Sequence, residues 1–292
     1  MIKYLQTLKR RDGVNLRKSF SKVSGPMLAG VVKEQRPETA ISAIRNCECK
    51  GATGIDLHLS CLEDKFRNVD SIRNIVNSSR LPILALNYNL SYDRGFYESS
   101  EDERTNLLLK AIEAGAAAAD IQGYTFDLYS KNNFRNEYSS LNYSFIRNNP
   151  KEVVVDDETI GKQTDLIEKI HSMGAEVLLS NHPGIFMTTE QVVDLALFVE
   201  KRKPDIIKIV TVADTEEEML EAFKTMTVLK KEVKTPVSYH CSGKKGGLTR
   251  IVNPILGGFM CFCNERYAHN SDLSQPLLET AKIIFDNINK VI

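Results

Sequence analysis

No sign of charge dominates this chain: Lys plus Arg number 38, Asp plus Glu number 38, and the formal net charge is zero. A protein that grips nucleic acid through its global field needs a basic excess, so the balance argues against that class. Also missing is any apolar run of the ~18 residues that a membrane-spanning helix needs. The first stretch, MIKYLQTLKRRDGVNLRKSF, is basic and polar, without a long apolar core or a small-residue cleavage site. A secretory signal is therefore not expected. Cysteine is scarce, with six in 292 residues, too few for a disulfide scaffold in so long a chain. Two pairs are spaced C-x-C, Cys47/Cys49 and Cys261/Cys263, which is a poor start for a tetrahedral zinc site. The expectation is a set of reduced, mostly buried thiols in a cytoplasmic protein without a metal.

What is present is enough apolar chain, 42%, for one large α/β domain or two small ones. Short β-rich apolar runs recur: PMLAGVV (26–32), TGIDLHL (53–59), PILALNY (82–88), AAAADIQG (116–123), AEVLLSN (175–181), DIIKIVTV (205–212), PVSYHC (236–241) and GFMCFC (258–263). Between them lie stretches with apolar residues at i, i+3 and i+4, several opening on Ser or Thr with Glu close behind and several closing on Gly. Strand and helix alternating eight times predict a (β/α)8 TIM barrel over residues 26–292. A doubly wound open sheet is the runner-up, but no G-x-G-x-x-G or P-loop follows the first strand. Residues 1–25 read as an N-terminal extension that caps the barrel bottom or stays mobile. The long gap at 124–157, rich in Asn, Ser and Tyr, reads as an insertion after strand four, either a lid or a solvated excursion.

Alternation along strands decides what faces the barrel axis. In DIIKIVTV, the apolar pair Ile207 and Ile209 belongs against the helices, so Lys208 points inward. A lone lysine among branched aliphatics is costly unless it is paired, neutral or functional. Two readings stand: an ion pair with a neighbouring strand's carboxylate, or an amine whose pKa is lowered by desolvation and that is suited to Schiff-base chemistry. The same alternation brings in Asp56 and His58, Asn87 with Asn89, Asp120 and Gln122, Ser180 and His182, and Ser238, His240 and Ser242. Most sit toward the C-terminal ends of their strands, where barrel enzymes carry their chemistry. His182, with an ordinary pKa near working pH, is the natural proton shuttle. Beyond strand seven, the Gly-rich CSGKKGGLTR ends on Arg250 at the start of a short helix, suited to capturing a carboxylate or a phosphate.

The set SNH (180–182), IIKI (206–209) and SGKKGGLTR (242–250) resembles the type I 3-dehydroquinate dehydratases, Schiff-base (β/α)8 enzymes of the shikimate pathway. The resemblance runs from about residue 26 to the C-terminus. It implies that Lys208 forms the imine, His182 is the general acid/base and Arg250 holds the substrate carboxylate. It aligns Phe262 with an aromatic on strand eight, and Ser271 and Gln275 with a serine and a glutamine of a closing loop. It implies a small oxo or hydroxy acid substrate and no cofactor, and barrels of this kind often form homodimers. This chain departs at several places. Asp56-Leu57-His58 replaces Glu-x-Arg, Asn87 stands for a strand-three arginine, and His240 stands for a methionine. The acidic partner of the histidine has only Asp93 as a candidate. The groups that read ring hydroxyls are thus altered while the Lys/His pair is kept, so a class I aldolase on another oxo acid and a non-catalytic ligand-sensing barrel stay open.

Overall fold

The computed structural model describes residues 17–23, 25–88, 99–269, 271–288 and 290. Its strands are β1 (Met27–Val32), β2 (Gly54–His58), β3 (Ile83–Leu86), β4 (Ala118–Gln122), β5 (Glu176–Asn181), β6 (Ile206–Val212), β7 (Val237–Ser242) and β8 (Met260–Asn264). They pair in parallel in the order β7-β6-β5-β4-β3-β2-β1-β8. The helices that follow them are α1 (Pro37–Cys49), α2 (Val69–Asn77), α3 (Glu101–Glu113), α4 (Asp157–Ser172), α5 (Thr189–Glu200), α6 (Glu216–Glu232), α7 (Gly247–Ile255) and α8 (Leu278–Ile288). This is the (β/α)8 barrel that the alternation predicts. Helix starts follow local chemistry: Ser100 with Glu103, Thr188 with Gln191, and Thr215 with Glu218 each form a capping box.

Strand faces sort the core into two bodies. Outward residues such as Ile55, Leu57, Ile207 and Ile209 meet the helices. Inward residues Met27, Leu84, Leu178, Ile206 and Met260 fill the lower barrel. Phe20, fully buried, plugs that lower end from the segment before β1. Its neighbours are tied down by Glu176, whose carboxylate accepts from the Phe20 and Ser21 backbone at 2.8 and 2.6 Å. The upper barrel, at the C-terminal strand ends, is left for polar groups.

The stretch between β4 and α4 is packed onto the barrel rather than solvated. Tyr138, Phe145, Ile146, Val153 and Val154 are buried, and the Phe145 ring lies 5.1 Å from that of Phe198 on α5. Arg202 donates to the Val154 carbonyl at 2.9 Å.

The seam between β7 and β8 has no ladder of its own among the described residues. Phe259 N donates to Val237 O at 2.9 Å. Above that bond the Asn253 amide of α7 inserts as a peptide surrogate. Its Oδ1 accepts from Tyr239 N at 3.2 Å and its Nδ2 donates to Met260 O at 2.9 Å. Gly258 makes room: a Cβ there would lie 1.8 Å from Asn253 Oδ1. Asn253→Ala is expected to orphan the buried Tyr239 N and leave Met260 O only the longer 3.4 Å bond from Ser238 Oγ, at a cost of about 1–3 kcal/mol. Denaturant unfolding checks this, and a loss within experimental error would show that the seam closes without the side chain.

Candidate active site

A cavity of ≈ 370 Å³ opens at the C-terminal end of the strands. A larger hollow of ≈ 440 Å³ lies at the opposite end, between α6, α7 and the residues before β1. Its described lining mixes aliphatic side chains with Lys230, Lys234 and Tyr239 but holds no carboxylate or histidine, so the upper cavity is the better candidate site.

Lys208 enters this cavity from β6, only 7% exposed, and its Nζ lies 4.4 Å from the centroid of the Phe262 ring. Among the described residues no carboxylate stands within ion-pair distance of it, so the ion-pair expectation is not met. Asp120 on β4 is the carboxylate whose charge Lys208 feels. Its Oδ1 accepts from Ser180 Oγ at 2.6 Å and Gln122 Nε2 at 3.1 Å, while Oδ2 is buried without a partner. Burial pushes the Asp120 carboxyl up, against the opposing pull of the Lys208 charge.

His182 follows β5 and faces the same cavity, because Ser180 pairs with Lys208 in register and His182 lies two residues further on the same face. Its Nδ1 is 2.8 Å from Glu152 Oε2 and its Nε2 is 3.3 Å from the Tyr88 hydroxyl. Burial, and then the nearby Asp120, Glu152 and Asp56 charges, push the Tyr88 phenol well up, so it stays a donor. These partners assign the proton to Nδ1 and leave Nε2 as the acceptor.

Neither Glu152 nor Tyr88 is found by sequence reasoning. On β3 both faces are apolar, and the polar Asn87 suggests the wrong one. Register pairs Asp56 with Leu84 and His58 with Leu86, which aims 84, 86 and 88 at the axis. Asn87 is therefore corrected: it points outward, fully buried, and donates to Arg104 O at 3.0 Å. Asn89 and Asp93 lie outside the described residues.

Asp56 and His58 do line the cavity, 3.2 Å apart between Oδ2 and Nε2, and Asp56 Oδ1 is buried without a hydrogen bond. Arg250, at the start of α7, donates to His240 Nε2 at 3.0 Å and to Asp272 Oδ2 at 3.2 Å. Gln275 reaches the cavity; Ser271 does not. The Ser271 hydroxyl is spent in its own turn, accepting from Ala268 N at 2.9 Å, and faces a separate small hollow. Among the described lining residues Lys33 and Lys151 join Lys208 and Arg250 on the walls, with Asp56 and Asp272 as the carboxylates and Asp120 and Glu152 buried just behind them. That lining suits an anionic ligand.

His240 is held neutral: burial lowers its pKa well below the usual 6.5, and the Arg250, Lys208 and His182 charges lower it further. Above about pH 6.5 the folded and unfolded imidazoles are both neutral, and the group adds no pH slope. Below it the unfolded chain takes up a proton that the fold refuses, so stability falls as pH drops. Thermal melts between pH 7 and 5 are expected to show this slope, and His240→Gln to flatten it. An unchanged slope in the variant would assign it elsewhere.

The family model for type I 3-dehydroquinase matches residues 129–288, more than half of the chain. The chain belongs to the type I 3-dehydroquinase family. The 3-dehydroquinate dehydratase of Desulfotalea psychrophila is 24% identical over 173 residues, 59% of this chain and 62% of that protein. The bifunctional 3-dehydroquinate dehydratase/shikimate dehydrogenase, chloroplastic, of Arabidopsis thaliana is 23% identical over 272 residues, 93% of this chain and 37% of that protein. The chain thus spans less than two thirds of the length of these curated relatives. The crystal structure of 3-dehydroquinate dehydratase from Geobacillus kaustophilus superposes with a TM-score of 0.72 at 12% identity, covering 94% of this chain and 96% of that one. This type I 3-dehydroquinase fold therefore persists through deep divergence. No described helix is long and apolar enough to cross a membrane.

Proposed function

We propose that the chain is a hydro-lyase that dehydrates 3-dehydroquinate to 3-dehydroshikimate through an imine on Lys208. The observation that carries this reading is a buried lysine, without ion or hydrogen-bond partner among the described residues, sharing a cationic cavity with a histidine of assigned tautomer.

The unprotonated Lys208 amine adds to the ketone carbon. With one proton taken up, water leaves and an iminium links enzyme to substrate. The iminium acidifies the neighbouring C–H, and His182 Nε2 takes that proton as the C–H pair becomes an enamine. The enamine then expels the β-hydroxyl, which leaves as water with the proton returned by His182. Hydrolysis of the product iminium restores the amine and gives back the first proton, so one water is lost overall. Phe262 beneath the amine keeps its surroundings apolar. Arg250 binds the substrate carboxylate, which must share or displace Asp272 on the same guanidinium. The free thiols accord with a cytoplasmic setting.

Borohydride reduction in the presence of 3-dehydroquinate tests the reading. An adduct on the Lys208 peptide together with dehydroshikimate release supports it. An adduct without turnover would move the chain to another oxo acid, and no adduct would remove the imine altogether.

A further inference from the structure

The segment between β4 and α4 ends in a side chain that the strand pattern does not supply. We propose that Glu152 is the positioning residue for His182, and that the 124–157 insertion serves to deliver it. The inference rests on the imine reading above for its kinetic consequences, though not for its geometry.

One carboxylate oxygen clamps the histidine twice. Glu152 Oε2 accepts from the His182 ring Nδ1 at 2.8 Å and from the His182 backbone N at 3.2 Å. The side chain is fully buried, so water does not compete for this oxygen. A neutral imidazole free to choose would also populate the form with hydrogen on Nε2, which cannot accept a substrate proton. An acceptor fixed at Nδ1 selects the useful form.

The backbone at Glu152 is built for this aim. Its φ is +55°, in the left-handed region that a non-glycine residue enters at a cost, and Asn148 and Asn149 precede it at +65° and +57°. Contacts on every side hold the conformation. Glu152 N donates to Ser130 O at 2.7 Å, and Glu152 O accepts from Asn181 Nδ2 at 2.6 Å. Gly123 leaves the space for that pair: a Cβ there would lie 2.4 Å from Glu152 O and 1.9 Å from Asn181 Nδ2. The flanks are tied to the barrel by Gln163, which donates to Gly123 O at 2.9 Å and Thr125 O at 2.8 Å, and by Tyr138, which donates to Asp156 at 3.0 Å. A strained residue gripped by its surroundings and aimed at a ring nitrogen is a device for orientation, not a passing surface contact.

The test records imidazole ¹⁵N resonances of the full chain, with the His182 signals assigned by comparison with His182→Ala. The Nδ1–H form is expected in the unsubstituted protein and a shift toward Nε2–H in Glu152→Ala. Glu152→Gln, of nearly the same shape, is expected to lower kcat about 10²-fold or more with KM changed by less than about threefold. Borohydride trapping on Lys208 should persist in it. An unchanged ring form in Glu152→Ala, or kcat within about threefold of the unsubstituted enzyme in Glu152→Gln, overturns the proposal. If Glu152→Ala does not fold, the kinetics of Glu152→Gln decide. If the unsubstituted protein neither traps nor turns over 3-dehydroquinate, the imine reading falls, while the ring resonances still decide the role of Glu152.

Discussion

Lys208→Met is expected to abolish turnover, a loss on the order of 10⁴-fold or more, and to leave the protein at least as stable. The amine is removed and one methylene becomes a thioether sulfur. Methionine keeps the first four atoms of the stem, with sulfur for one methylene, and stays apolar between Ile206 and Val210 on the same face and over the Phe262 ring. Burying an amine without an ion partner costs free energy that a thioether does not, so the melting temperature should hold or rise. The variant thus separates chemistry from folding. Borohydride should no longer label the chain, whatever oxo acid is offered. Turnover within about tenfold of the unsubstituted enzyme would mean that the amine forms no essential bond, and the imine mechanism would be lost.

The contrast between Lys208 and Asn87 shows what strand periodicity can reveal. On β6 the two faces differ: one holds the aliphatic pair Ile207 and Ile209, and the other holds the lysine. Burying the aliphatic pair against α5 and α6 leaves a single solution, and the structure adopts it. On β3 the faces Ile83/Ala85 and Leu84/Leu86 are alike, so no hydrophobic preference fixes the parity. A polar residue just past the strand then misleads. Pairing with β2 supplies the missing information, and that pairing is a tertiary fact. Tyr88 is recoverable only once the register is known.

Glu152 is a deeper omission. It sits in no strand or helix, and its direction depends on a left-handed backbone held by Ser130, Asn181 and the absence of a side chain at Gly123. No local pattern encodes such an arrangement, because each partner is at least twenty residues away in sequence. Ser271 errs in the opposite direction. A motif position places it in the closing loop, but local turn bonds with Ala268 and Arg266 consume its hydroxyl, leaving Asp272 and Gln275 of that loop at the cavity. The eight strands were legible because burial on two faces leaves an apolar signature. The proton-relay partners were not, because they depend on loop conformation.

His182→Ala is expected to split the reaction where Lys208→Met ends it. The imine needs only the lysine and the ketone, so borohydride trapping on Lys208 should survive. Removing the α-proton and delivering it to the leaving hydroxyl both pass through Nε2, and each transfer is worth about 10²–10⁴-fold. With one residue serving both, kcat should fall by at least about 10³-fold, while a stalled imine accumulates and KM falls or holds. The Tyr88 hydroxyl, 3.3 Å from Nε2 and held protonated by burial, cannot stand in as a base. The vacated ring also leaves the buried Glu152 carboxylate without its Nδ1–H donor, so the variant should lose some stability as well, which a melt measures apart from the kinetics. Trapping that disappears together with turnover would instead make His182 part of imine formation, and turnover that persists would move the proton transfer to another group on the cavity wall.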